Sequence, residues 1–116
     1  MPNASRGATL RMHLNALVEA QPGGTYLAHC LELDLVAEGA SPHDACDELL
    51  NLIEVQIRTC VENDNLEHLF FRAPEADWEK LERLRGMMQP HTHRRTIAAQ
   101  TGRCKKEVEL NEFCYA

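Results

Sequence analysis

The stretch from Tyr26 to Ala45, YLAHCLELDLVAEGASPHDA, decides the fold, because it passes from one periodicity to another within a few residues. Up to Gly39, polar and apolar residues interleave in twos, as in a half-buried strand. At Ser41 the pattern changes. Ser41 is a good N-cap, Pro42 fits the first helical position where its missing N–H does no harm, and Asp44 resembles the third member of a capping box while favouring the helix dipole. The spacing predicts a helix over 41–61 with an apolar stripe of Ala45, Leu49, Leu52, Ile53, Ile57 and Cys60.

Working outward, the segment before this stretch alternates from Leu10: Leu10, Met12, Leu14, Ala16 and Val18 share one face, and Arg11, His13, Asn15 and Glu19 take most of the other. QPGG follows, with Pro22 presetting the first central turn position and Gly23 free to take positive φ at the second. Thr25–Leu31 then returns antiparallel, and ELDLVAEG supplies a third strand. Beyond the helix, EHLFFRAP reads as a fourth strand, and EADWEKLERLR after Pro74 as a short helix burying Trp78, Leu81 and Leu84 and ending at Gly86. MMQPHTHRRTIAAQTGRCKK has weak periodicity and reads as a connection or mobile arm. EVELNEFCYA alternates again and reads as a last edge strand, free to pair with another subunit. The expectation is an α+β domain over 8–86, with a three- to four-stranded, mainly antiparallel sheet covered by one long helix. A flexible N-terminus (1–7) and a tail (87–116) flank it.

A chain of 116 residues with 44% hydrophobic and 26% charged residues suits one domain with a modest core. The formal charge of -6 is unevenly spread. Residues 8–86 hold 6 basic and 15 acidic side chains, whereas 87–116 hold 5 and 3. The acidic body disfavours polyanions and welcomes a basic protein. The 5 cysteines are scattered without a C-x-x-C pair, and their odd number fits reduced thiols in the cytoplasm. No run of about 18 apolar residues is present to span a membrane.

Each chemistry-bearing residue also has a plainer role open to it. Glu32 and Asp34, two apart on a strand, would touch a single cation as in a metal-dependent nuclease of ribonuclease H-like type, but Leu10–Val18 carries no acid. Solvated or partner-facing acids are the simpler account. His91 and His93 form an H-x-H pair suited to a transition metal if on a strand, yet no third ligand is near in sequence, and a loop pair is the expectation. His29 and Cys30 would face opposite sides of a strand and share no proton. RRTIAAQTGRCKK (94–106) is basic and opens like a helix-turn-helix without its recognition helix, which leaves a DNA-binding regulator as a further alternative. No cofactor motif is present.

Gly24, Tyr26, Ala28, Leu33, Gly39, Ser41, Pro42 and Ala45 place the segment Gly23–Glu54 on the pattern of the HicB-like antitoxin family, which this chain resembles from about Ala8 to Gly86. The resemblance implies a partial ribonuclease H-like domain without nuclease activity, assembled as a dimer or tetramer. It also implies a partner, a small basic mRNA-cleaving toxin that the domain silences. The complete DNA-binding unit that many members append is absent from the sequence. On this reading the partner-facing acids are Glu32, Asp34 and Glu38, with no catalytic residue, metal or cofactor.

Overall fold

The computed structural model describes residues 8–98 and 104–115. The chain folds as β1 (Ala8–Ala20), β2 (Tyr26–Cys30), β3 (Leu35–Gly39), α1 (Pro42–Glu62), a short 3-10 turn (Leu66–His68), α2 (Glu75–Arg85), β4 (His91–Ala98) and β5 (Cys104–Tyr115). The architecture is α+β, with five strands in the order β3-β2-β1-β5-β4. All neighbours are antiparallel except β1 and β5, which run parallel from Ala8 beside Cys104 to Glu19 beside Tyr115. The sheet is therefore mixed and larger than the three to four strands expected.

The expected β1 alternation is realised from Met12 onward. Leu14, Ala16 and Val18 join Ala28, Cys30, Val108, Leu110 and Ile97 in a core covered by α1, with Met12 partly buried at its margin. The Gln21–Gly24 turn closes with Gly24 N–H donating to the Gln21 carbonyl at 3.2 Å, and Gly23 and Gly24 sit at φ 102° and 93°, where an L side chain is strained. At the other end of the β-β-β-α unit, Gly39 is needed for a close approach. A Cβ there would lie 2.6 Å from the Asp44 carbonyl carbon and 2.8 Å from Ala45 Cα. The helix start is therefore pressed directly onto the end of β3.

α1 begins as expected: Ser41 is extended, and its Oγ accepts from Asp44 N–H at 3.0 Å. Its buried residues are Ala45, Cys46, Leu49, Leu50, Ile53, Ile57 and Cys60. Leu52 lies at the margin while Cys46 and Leu50 are inside, so the stripe keeps its other expected members and extends toward Leu50. Each fully buried leucine or isoleucine contributes roughly 1.5–3 kcal/mol, so this stripe is the main bond between helix and sheet. α2 covers the opposite face, where Leu81, Trp78 and Leu84 pack on Leu17, Leu31, Ala73 and Phe113.

Four expectations are corrected. The third strand starts at Leu35, not Glu32, because Leu31–Asp34 is a tight turn with Asp34 at φ 54°. Leu31 enters the α2-side cluster and Leu33 the α1-side core, which residues two apart on one strand cannot do. EHLFFRAP is not a strand: after the 3-10 turn it runs irregularly, with Leu69 and Ala73 buried and Phe70 and Phe71 exposed. β5 is not an edge strand but lies between β1 and β4, so neither of its flanks is free for a subunit. Finally, RRTIA continues β4 where a helical fragment was expected. The N-terminal segment 1–7 and the stretch 99–103 lie outside the described residues.

Candidate functional site

Two polar assemblies stand out, one on each side of the sheet's middle. The first is the β2–β3 turn that carries two of the three expected partner-facing acids. Leu31 N–H donates to the Asn15 carbonyl at 3.0 Å, extending the β1–β2 ladder by one step. Glu32 then reaches back: its Oε1 accepts from Asn15 N–H at 2.8 Å and its Oε2 from Asn15 Nδ2 at 2.6 Å. The carboxylate replaces the next rung of the sheet and stops the pairing there. Its charge also acts on Cys30, whose thiol is pushed up to about 12, first by burial and then by Glu32.

Asp34 and Glu38 have different surroundings. Asp34 Oδ1 lies 2.6 Å from His29 Nε2, and Glu38 Oε2 accepts from Thr25 Oγ1 at 2.8 Å, both in exposed settings. Cys30 is buried and His29 lies on the other face, as the alternation requires. The turn is tied to the segment before α2 by Ala73 N–H, which donates to the Leu31 carbonyl at 2.9 Å. That segment holds the exposed Phe70 (56%) and Phe71 (67%). The two are neighbours in the chain and offer apolar surface beside the acid-bearing turn.

The second assembly lies in the seam between the start of α1 and the β4–β5 hairpin. His91 and His93 are on strand β4, not in a loop, and point the same way. His93 Nε2 is 2.8 Å from Glu112 Oε1 on β5, and the Cys46 thiol of α1 donates to the same oxygen at 3.6 Å. One sulfur, one nitrogen and one oxygen donor thus lie within 4.8 Å of one another. Among the described residues this is the sole group of three such side chains, and Glu32, Asp34 and Glu38 are not in it. The side chains of His93 and Glu112 are only 9% and 10% exposed. Burial, and then the Glu112 carboxylate, push the Cys46 thiol well above its ordinary value, and Cys114 is raised by the same two causes.

The seam continues away from this trio. The His43 ring lies 5.6 Å from His93 and the His91 ring 4.8 Å from it, both toward solvent. On the inner side Arg95 clamps α1, donating to Asn51 Oδ1 at 2.6 Å and Asp47 Oδ1 at 2.9 Å, with Glu54 at 3.6 Å. Arg94 pairs with Glu109 at 3.0 Å on the opposite face. Arg94 and Arg95, two of the three arginines of the sequence expected to serve as a basic arm, thus bind within the fold, and Arg103 lies outside the described residues.

Sequence reasoning missed the trio because its members are far apart in the chain. Cys46 and Glu112 are separated by 66 residues, and His93 and Glu112 by 19. The H-x-H pair was the signal available; the strand that would have given it meaning was hidden. Cys30, Cys46, Cys60 and Cys114 are unbridged, and no described helix is long and apolar enough to cross a membrane. No protein-family model matches the sequence, and neither a curated protein nor a solved structure matches the chain.

Proposed function

We propose that the chain is a non-enzymatic protein-binding domain of the HicB-like antitoxin type, which captures a small basic mRNA-cleaving toxin in the cytoplasm and covers its functional surface. One observation carries this reading: an exposed aromatic pair, Phe70 and Phe71, sits on a segment hydrogen-bonded to the acid-bearing β2–β3 turn. A few desolvated anchor residues carry most of the binding energy at protein interfaces, whose cores are enriched in aromatics, while surrounding charges mainly speed encounter and exclude wrong partners. The Gly23–Glu54 pattern and the acidic body support the same partner chemistry. Homo-oligomerisation to a dimer or tetramer belongs to this proposal.

Within it, Asp34 and Glu38 are the better placed of the three acids. They are exposed, whereas Glu32 is half-buried against Asn15. The test is co-purification of the full chain with a short basic protein encoded beside it, together with an assay of that protein's mRNA cleavage. Phe71→Ser should weaken capture at least tenfold, and Asp34→Lys with Glu38→Lys should slow association, more so at low salt. A purified chain that neither captures nor inhibits such a protein would sink the proposal. RNA or DNA turnover with Mg²⁺, abolished by Asp34→Asn, would replace it with the nuclease.

A further inference from the structure

We propose that Cys46, His93 and Glu112 bind one zinc-class divalent cation in the seam between α1 and the β4–β5 hairpin. The inference is independent of partner capture, since it rests on other residues at another place in the fold. The donors are a thiol, an imidazole and a carboxylate, the mixed set that suits zinc; calcium and magnesium want oxygen alone.

Geometry and charge both favour the ion. Ligands at about 2.0–2.3 Å from a tetrahedral centre lie roughly 3.3–3.6 Å apart. The Cys46–Glu112 separation of 3.6 Å already fits, and the His93–Glu112 contact of 2.8 Å needs to open by about half an ångström as the ion replaces the proton between them. A thiolate and a carboxylate carry two negative charges, so a divalent ion leaves no net charge in a site whose polar side chains are about nine-tenths buried. Binding displaces the Cys46 thiol proton to solvent, and the imidazole proton leaves Nε2 for Nδ1, so that Nε2 is free to ligate.

The three donors come from three elements, α1, β4 and β5, and are therefore held in place before any ion arrives. Exposed His43 and His91 flank the outward side of His93. An ion here ties the start of α1 to the hairpin and stabilises the folded chain by linkage.

The experiment uses the full chain without a histidine tag, stripped with chelator, dialysed and titrated with Co²⁺ as a spectroscopic stand-in for zinc. One equivalent should give thiolate-to-cobalt charge-transfer absorption that Zn²⁺ abolishes by displacement, and Zn²⁺ should raise the melting temperature. Cys46→Ser should remove the charge-transfer band, Cys60→Ser should leave it intact, and His93→Ala or Glu112→Gln should weaken binding at least tenfold. Absence of the band at excess cobalt, or its survival in Cys46→Ser, overturns the site. Should Cys46→Ser fail to fold by circular dichroism, the other two variants decide, and an unchanged cobalt affinity in both overturns it equally.

Discussion

Leu17 and His13 lie on the same face of the same strand, four residues apart, yet Leu17 is 3% exposed and the His13 side chain 65%. The difference is α2. Where it lies on the sheet, Leu17, Leu31, Phe113 and Leu81 form a second small core, so this half of the molecule is held by burial on both faces. Beyond it, the same face carries a ladder of charges: Arg11 with Glu107 at 3.1 Å, and His13 and Arg94 each 3.0 Å from Glu109. On this face the strand thus passes from apolar contacts to exposed ion pairs along its length, and the two kinds of contact should respond to different conditions.

The largest effect should come from the doubly covered half. Leu17→Ala removes a buried side chain beneath α2 and should cost about 2–5 kcal/mol by urea unfolding. His13→Ala, on the same face but exposed, should stay within about 0.5 kcal/mol. Equal losses at the two positions would break the contrast. Next comes Glu32→Ala, which strips Asn15 of acceptors for its N–H and its side-chain amide, at a cost of about 1.5–3 kcal/mol. Adding Asn15→Ala to Glu32→Ala should cost less than the sum of the two single changes, whereas simple additivity would show that the carboxylate is not acting through Asn15.

How much of this was legible in the sequence follows from which residues face the core. The β1–β2 hairpin, Gly39, the Ser41 cap and the α1 stripe were readable because their inward positions are aliphatic and their turns hold residues with specific backbone preferences. β4 was not. Its inward positions are His91, His93 and Arg95 before Ile97, so the polar side chains of the seam erase the period that would have announced a strand. EHLFFRAP misled in the opposite sense, since Phe70 and Phe71 are strand formers placed in the open. The Leu31–Asp34 turn was masked because its two leucines look like one buried face while serving two cores. The trio in the seam could not be assembled without the β5 position beside β1, a long-range pairing that no local pattern encodes.

A smaller loss belongs at the junction of the two structural periods. Ser41→Ala removes the acceptor of Asp44 N–H and should cost about 1 kcal/mol, with Ser41→Asp restoring most of it. A neutral Ser41→Ala would mean that contact between Gly39 and the helix start alone fixes α1.

The smallest effect, and the one that tests the charged half directly, is at Glu109. Hydrogen bonds from His13 and then Arg94 hold its carboxyl below the ordinary glutamate value. A carboxylate with a depressed folded-state value stabilises above its unfolded value and loses that contribution as pH falls through the folded one. The stability gap between the wild type and Glu109→Gln should therefore be present at neutral pH and close as the pH falls from the ordinary glutamate range through the lowered folded-state value. It should also shrink in about 1 M salt, where screening reaches roughly 3 Å. The corresponding gap for Leu17→Ala should respond to neither variable. If the Glu109→Gln gap persisted through acid and salt, the ion pairs would not be what Glu109 contributes, and the contrast between the two ends of this face of β1 would collapse.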